Sequence, residues 1–274
     1  MENNLIRSLS PLEAEVILAL QWQEKAAVSR SEIVQILGGS TARADKVIRS
    51  LRNKNWLQRL SGGRYLVIPA ERGPVGIPDS NMLAVGQYLA KPYYFGFATA
   101  AAHYRFTAQS RSLVWIVTTK QVPVRTVRNT TFRFVSVVPR KFFGFEPASV
   151  YEQKVQMSDR EKTVIDCVDQ PEFAGGIGEL TRIIASAASK LDWNKFTTYA
   201  KKFGSVAMVQ RFGALADRAK IQMPNDSRRA LQSLIKPNSR SFLASTKTWG
   251  KAGHYDPEWQ MIINVPEREI LSEI

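Results

Sequence analysis

Apolar residues recur at helical spacing in two segments near the start of the chain. In the first segment, which Pro11 opens, they lie three or four positions apart: Leu12, Val16, Ala19 and Leu20. The second segment begins with Ser29 and Glu32, which have the spacing of a capping box, and its apolar positions are Ile33, Ile36 and Leu37. Gly38 and Gly39 end it, because glycine adopts a left-handed turn at no steric cost. Two short helices are therefore predicted.

A third segment, capped by Ser40 or Thr41, divides most clearly into two faces. Its apolar positions follow the i, i+3, i+4, i+7 pattern: Ala44, Val47, Ile48 and Leu51. The opposite face carries polar and basic residues: Arg43, Lys46, Arg49, Ser50 and Asn53. The pattern predicts a helix that packs on the first two and turns its cations outward.

A hairpin is predicted directly after the third helix. Residues 56–60 and 64–68 are predicted to be its two strands, Gly62 and Gly63 permit the tight turn between them, and Arg59 and Arg64 flank that turn. Three helices followed by such a hairpin predict a winged helix-turn-helix over residues 1–69. In that motif the third helix enters the major groove and the hairpin touches the flanking backbone or the minor groove. The predicted DNA-binding residues are Ser40, Thr41, Arg43, Lys46, Arg49, Ser50, Asn53, Arg59 and Arg64.

A larger domain is predicted over residues 80–274, after a Gly- and Pro-rich linker at 70–79. Helices are expected at Asn81–Lys91, Phe97–Arg105, Gly178–Lys190, Asp192–Phe203, Val206–Lys220 and Ser227–Ile235. Another helix is expected to begin at a capping box formed by Ser158 and Glu161 and to stop at Pro171. Strands are expected at Leu113–Thr119, Val122–Val127, Arg133–Val138, Val150–Met157 and Trp259–Val265. The predicted fold class is α+β, with an antiparallel or mixed sheet packed by helices in the second domain.

The charge balance favours a polyanionic partner. Lys and Arg number 38 against 24 Asp and Glu, which gives a net charge of +14. Nucleic acid is the favoured partner and an anionic membrane surface the alternative, although many basic proteins bind neither. Cys167 is the single cysteine, no leader-like segment opens the chain, and no apolar stretch approaches about 20 residues. A cytoplasmic protein with no membrane segment is expected.

No catalytic or metal site is predicted. Four acidic residues cluster at Asp166, Asp169, Glu172 and Glu179, and pairing with Arg160 or Lys162 is favoured over metal binding. Only His103 and His254 are available as imidazoles. Cys167 lies in an apolar helical stretch, which favours a buried structural thiol. Residues 175–178 lack the Lys and Ser or Thr of a nucleotide loop. The sequence therefore indicates a protein that is not an enzyme and needs no cofactor.

The order of winged helix, linker and mixed domain resembles the AbiEi family of antitoxins, the predicted regulators of abortive-infection systems that defend against viruses. The resemblance covers essentially the whole chain, including Ser158–Cys167, and is most specific over Asp166–Gly176 (DCVDQPEFAGG). It implies that the N-terminal domain represses its own operon by binding operator repeats. It also implies that the C-terminal domain counters a toxin of nucleotidyltransferase fold. These systems are classed as type IV, in which a stable complex with the toxin is not the rule.

Two features of the second domain remain open. One is an aromatic-rich stretch, for which burial is favoured over stacking on single-stranded nucleic acid; it comprises Tyr93, Tyr94, Phe95, Phe97, Tyr104 and Phe106. The other is a basic group in the predicted strands and their loops: Arg125, Arg128, Arg133, Arg140 and Lys141. That group is either a second surface for nucleic acid, an acidic toxin or its RNA substrate, or simply a solvated face.

The predicted function is therefore sequence-specific DNA binding and repression of the chain's own operon, together with antitoxin activity implied by the resemblance. The alternative is a protein-interaction module that neutralises the toxin by direct binding, with the winged helix as its docking surface. Salt distinguishes the two, because operator binding weakens by orders of magnitude from low to moderate salt. A third class, a nuclease or transferase, would require Asp166 or Asp169 for activity.

Overall fold

The chain divides into two compact units. The structure, a computed structural model, describes residues 8–23, 25, 27–60, 63–68, 70, 82–108, 112–127, 129–150 and 153–274. The first unit comprises Met1–Lys91, Thr126–Thr130 and Ser149–Val155, and the second comprises Pro92–Arg125, Thr131–Ala148 and Gln156–Ile274. Apart from Ala70, the predicted linker at 70–79 lies outside the described residues, so the proposed domain bounds stay a prediction.

Three helices and a small sheet begin the first unit. In chain order they are α1 (Pro11–Trp22), β1 (Ala27–Ser29), α2 (Arg30–Ile36), α3 (Thr41–Asn53), β2 (Leu57–Arg59) and β3 (Arg64–Val67). The strands are ordered β1-β3-β2 and both pairings are antiparallel. The predicted helices and hairpin are confirmed as elements, whereas β1 was not predicted. A short helix, α4 (Met82–Gly86), stands where Asn81–Lys91 was predicted.

The ends of these helices are set by local hydrogen bonds. The predicted capping box is confirmed, because the Ser29 amide donates to Glu32 Oε2 at 2.8 Å and the Glu32 amide donates to Ser29 Oγ at 3.2 Å. The Arg43 amide donates to Ser40 Oγ, which makes Ser40 the cap of α3. Gly38 and Gly39 both have positive φ, as the predicted turn requires. The three helices and the sheet enclose one apolar core: Val16, Ile17, Leu20, Val28, Ile33, Leu37, Ala44, Val47, Ile48, Leu51, Trp56, Leu57 and Val67.

Six strands, most of whose residues belong to the second unit, form a mixed sheet. They are β4 (Tyr94–Phe95), β5 (Leu113–Thr118), β6 (Arg125–Val127), β7 (Thr130–Ser136), β8 (Phe145–Val150) and β9 (Gln153–Ser158), in the order β6-β7-β5-β4-β9-β8. β4 is antiparallel to β5 and parallel to β9, and β5 is parallel to β7. Of the two sheet types predicted, the mixed one is present. β4 and β8 were not predicted.

Helices make up most of the rest of the second unit. They are α5 (Phe97–His103), α6 (Arg160–Asp169), α7 (Ile177–Ala188), α8 (Trp193–Phe203), α9 (Val206–Arg218), α10 (Asn225–Gln232), α11 (Thr246–Trp249) and α12 (Glu267–Ile270). A three-stranded sheet joins β10 (Ser241–Phe242), β12 (Met261–Ile263) and β11 (His254–Asp256) in that order. The chain is thus of mixed α+β class. Among the described residues, no helix combines the length and apolar character that crossing a bilayer requires.

The start of α6 differs from the prediction. Asp159, not Ser158, is the N-cap, and its Oδ1 accepts from the Lys162 amide at 2.8 Å. Ser158 ends β9 instead, where its hydroxyl lies 2.7 Å from that of Thr163. The Glu161 carboxylate accepts from the Asp192 amide at 2.9 Å rather than from a capping amide. The predicted capping box at Ser158 and Glu161 is therefore wrong, because a carboxylate one position later takes the capping role.

Two carboxylates should make the first unit sensitive to acid. Burial alone would raise the pKa of Glu13, but hydrogen bonds from Lys54 and the Ser10 amide outweigh it and lower this pKa to about 2. Burial would likewise raise the pKa of Glu32, but hydrogen bonds from Lys25 and Ser29 outweigh this effect and lower the pKa to about 2. Their stabilising effect is complete above a pH of about 4.5 and is lost as the pH falls through about 2.

Replacing Glu13 should therefore flatten the acid dependence of stability. We expect the free energy of unfolding of Glu13→Gln to fall less steeply than that of the parent chain between a pH of about 4.5 and 2. Urea titrations followed by circular dichroism at several pH values measure this. Glu15→Gln, which removes an exposed carboxylate of the same helix, is the matched control. Equal slopes for the two variants would contradict the assignment.

Candidate nucleic-acid interface

The two faces of α3 differ sharply in exposure. Ala44 and Leu51 are fully buried, and Val47 and Ile48 expose 6% and 4% of their surface. On the other side, most of the predicted DNA-binding residues are exposed: Thr41, Arg43, Lys46, Arg49 and Asn53. Ser40 and Ser50 are half-buried, and Ser40 is partly engaged as the cap. The core thus holds α3 by its apolar face and leaves its cationic face to solvent.

The exposed face of α3 keeps its positive charge. Its one acidic residue, Asp45, accepts two hydrogen bonds from Arg30, each of 2.7 Å, and this contact lowers the pKa of Asp45. Within the described part of the chain, Arg43, Lys46 and Arg49 form no ion pair within 4.0 Å, although Asp45 interacts with Arg49 at longer range. These three groups are therefore available to an anionic ligand.

Arg52 extends this face and was not among the predicted residues. It is exposed and follows the buried Leu51, three positions after Arg49. Its spacing from Arg49 is the signal that would have included it, because residues three apart on a helix are neighbours. We define the α3 cationic face as Arg43, Lys46, Arg49 and Arg52.

The two predicted hairpin cations are placed differently. Arg59, at the end of β2, is exposed. Arg64, at the start of β3, is half-buried, and its guanidinium carbon lies 5.6 Å from the centre of the Tyr88 ring. Of the predicted turn, Gly63 has a φ of 70°, whereas Gly62 lies outside the described residues. Arg59 is therefore the more accessible of the two, and Arg64 is held by an aromatic ring.

The second predicted basic group is only partly a free surface. Arg125, Arg133 and Arg140 are exposed, and Arg128 lies outside the described residues. The Arg133 guanidinium lies 5.7 Å from the Trp115 ring centre. Lys141 does not join this group as a free cation, because its Nζ pairs with Asp169 at 2.7 Å and only 19% of its side chain is exposed.

Three members of the acidic cluster, Asp166, Asp169 and Glu179, form internal ion pairs, whereas Glu172 is exposed. Asp166 pairs with Lys162, as one of the two predicted partners, and Glu179 pairs with Arg182. Arg160 instead lies over the Tyr104 ring at 5.8 Å. Cys167 is fully buried, and burial raises the pKa of its thiol well above the usual value. Within the described residues, no group of three His, Cys, Asp or Glu side chains is placed to hold a metal ion.

Most of the aromatic-rich stretch belongs to the core of the second unit. Tyr94, Phe95, Phe97 and Phe106 expose at most 2% of their surface. Tyr93 and Tyr104 are half-buried, and the Tyr104 hydroxyl donates to the Ser158 carbonyl at 3.0 Å. The preference for core over a stacking platform is confirmed for the four buried rings.

Comparison with known proteins gives a fold but no family. No family model and no curated protein sequence matches this chain. Among solved structures, it is similar to the crystal structure of the RV2827C protein from Mycobacterium tuberculosis, with a TM-score of 0.67 and 15% sequence identity. The similarity covers 93% of this chain and 92% of that chain. At this identity it shows that the two share a mixed α+β fold over nearly their whole length.

Proposed function

We propose that the chain is a sequence-specific binder of double-stranded DNA whose first unit is a winged helix-turn-helix. The observation that carries the proposal is the α3 cationic face, which is exposed and lacks carboxylate partners in the described structure, on a helix anchored by a buried apolar face. The order of three helices and an antiparallel hairpin supports the motif. The net charge of +14 supports a polyanionic ligand.

The residues of α3 divide into two roles in this proposal. Arg43 stands near the N-terminal end of the helix, where a recognition helix meets base edges, and its planar fork suits guanine. Lys46 is a point charge that suits a phosphate. Arg59 on the hairpin reaches the flanking backbone. The dipole of α3 also favours a phosphate near the N-terminal end of the helix.

Footprinting on the DNA upstream of the chain's own gene tests the proposal directly. We expect protection of a short repeated site, with an affinity that falls by orders of magnitude from low to moderate salt. Binding that is insensitive to salt, or equal on unrelated DNA of the same length, would refute sequence-specific recognition.

Single substitutions should separate base reading from phosphate binding. Arg43→Ala should cost about 1–3 kcal/mol of binding free energy and relax the preference at one base pair. Lys46→Ala should weaken binding to all sequences alike and reduce the salt slope by about one. Gel retardation over a salt series, with single-base variants of the protected site, measures both effects.

A charge-matched control distinguishes the contribution of the α3 cationic face from that of the net charge of the chain. The triple variant Arg43→Ala, Lys46→Ala, Arg49→Ala should no longer retard the upstream fragment. A second triple variant with the same change in net charge replaces three exposed lysines of the second unit with alanine: Lys201, Lys236 and Lys251. It should bind almost as the parent does. Equal loss in both would show that net charge, not α3, governs binding.

The resemblance to AbiEi antitoxins supports a wider role, in which the chain represses its operon and counters a nucleotidyltransferase-like toxin. Co-expression with the product of an adjacent toxin gene tests it. The parent chain should restore growth, and so should the α3 triple variant when it is expressed from a promoter that the chain does not regulate. The reason is that the proposal assigns DNA binding and antitoxin activity to different domains. Co-purification of the toxin in high salt would favour neutralisation by direct binding instead.

A further inference from the structure

Helix α1 carries a second apolar face that no described residue covers. Leu12, Leu18 and Trp22 expose 40%, 62% and 89% of their surface. At 100° per residue they fall within about 120° of one another around the helix. Trp22 is the most exposed large apolar side chain in the described part of the chain. We define these three residues as the α1 outer face.

The opposite side of α1 packs into the core of the first unit. Val16, Ile17 and Leu20 expose at most 1% of their surface and pack with α2 and α3. A surface helix of a soluble unit normally has one apolar face and one polar face. Burial within its own unit therefore does not explain the α1 outer face, and several large apolar side chains exposed on one side of a helix are typical of an interaction site.

Charge restricts what the α1 outer face can contact. The helix contains no Lys or Arg, although the chain carries 38 of them. Of its two carboxylates, Glu13 is buried against Lys54, so Glu15 is its one exposed charge. Nucleic acid and anionic lipid are disfavoured here, because both require cations. A symmetric contact places the same surface against itself, and because Glu15 is the one exposed charge of α1, two copies bring only this one pair of like charges together.

We propose that the α1 outer face is the contact between two copies of this chain. Burying Trp22 would remove about 200 Å² from water, and Leu12 and Leu18 together roughly 150 Å². With the flanking polar atoms, two copies would bury on the order of 1,000 Å², the lower end of specific interfaces. An area at this lower end is typical of a weak and reversible contact.

The contact leaves the α3 cationic face free. α1 meets α3 through its buried side, so its outer face and the exposed side of α3 both point away from the shared core. A pair formed through α1 therefore presents two copies of α3. This consequence, two linked half-sites on one duplex, rests on the proposed function, whereas the pairing of two copies does not.

Sedimentation velocity without DNA tests the pairing. Between about 1 and 100 µM the full chain should shift from monomer to dimer. Leu18→Glu and Trp22→Glu should each weaken the dimer at least tenfold, because a symmetric contact buries every substituted residue twice. Val124→Glu, a similarly exposed apolar position at 57%, should leave it unchanged. A chain that stays monomeric throughout, or a dimer that survives both α1 substitutions, overturns the proposal.

Cross-linking locates the contact. Because Cys167 is fully buried, Glu15→Cys adds one accessible thiol at the α1 outer face. Oxidation of the native protein should give a disulfide-linked dimer, whereas the exposed Arg229→Cys should not. If deleting residues 1–7 is needed before any dimer forms, the N-terminal segment occupies this face and the proposal fails. If a monomeric α1 variant still retards a DNA fragment with a single half-site in a gel, DNA binding does not depend on the dimer contact.

Discussion

Replacing Lys162 with methionine is expected to cost about 3–5 kcal/mol of the free energy of unfolding, because it leaves a buried carboxylate without its cation. Lys162 is completely buried, and its Nζ lies 2.8 Å from the Tyr94 hydroxyl and in contact with Asp166. The Tyr94 hydroxyl donates to the other Asp166 oxygen at 3.0 Å. Burial lowers the pKa of Lys162 and raises that of Asp166, so each depends on the other to remain charged.

The cluster binds three elements of the second unit together. Tyr94 lies on β4, Lys162 and Asp166 lie one turn apart on α6, and the Phe203 ring of α8 has its centre 5.2 Å from Lys162 Nζ. A lone buried carboxylate must take up a proton or draw in water, and either process loosens this junction. Urea unfolding of Lys162→Met, with the midpoint and slope compared with the parent, measures the cost.

An apolar replacement of the whole cluster separates charge from packing. Lys162→Met combined with Asp166→Leu and Tyr94→Phe leaves no unpaired polar atom, and replacing a buried pair in this way is often neutral or stabilising. We therefore expect the triple variant to recover most of the stability lost in Lys162→Met. Arg229→Met, which removes an exposed cation from its exposed partner Asp226, should cost about 1 kcal/mol or less. If the triple variant is no more stable than the single one, lost packing rather than the unpaired charge explains the cost.

The first unit followed from the sequence because its signals are local. The 3.6-residue period of α3 separates Ala44 and Leu51 from Arg43 and Lys46, and the structure places them on a buried and an exposed side. The capping box at Ser29 is complete within four residues. β1 was missed because three residues are too few for a strand period, and its pairing with β3 joins residues far apart in sequence.

The second unit was harder to predict because its contacts are long-range. Lys141 was grouped with surface cations, but it pairs with Asp169, 28 positions later in the chain. β4 has two residues, and it is defined by its pairing with β5 on one side and β9 on the other, not by a pattern of its own. At the start of α6, Ser158 and Asp159 are both good capping residues, and only the pairing of β9 decides that Ser158 stays in the strand.

The candidate site shows the same division between local and distant information. Periodicity predicted the exposed cations of α3, but not that Arg30, 15 positions away, binds Asp45, the one carboxylate of that helix. The contact between the Tyr88 ring and Arg64 could not be predicted either, because the segment between these residues has no regular periodicity. The tertiary structure therefore decides which of these cations lack a partner, and local sequence patterns do not.

Gly213→Ala should destabilise the second unit by about 3 kcal/mol, although alanine is the better helix former by about 1 kcal/mol. Gly213 lies inside α9, and a Cβ placed there would overlap Cδ2 of Trp259. The fully buried ring has little freedom to withdraw, because its Nε1 donates to Asp217 at 2.6 Å and Arg228 lies 5.6 Å from its centre. The steric cost therefore exceeds the gain in helix propensity.

A double-mutant cycle decides whether the clash is the cause. Trp259→Leu alone should cost about 3–5 kcal/mol through the cavity it leaves. In that background the ring is gone, so Gly213→Ala should be neutral or should stabilise by up to about 1 kcal/mol through helix propensity. Thermal and urea unfolding of the four proteins measures the coupling. An equal cost of Gly213→Ala with and without the ring would mean that the backbone of α9, rather than Trp259, requires glycine at this position.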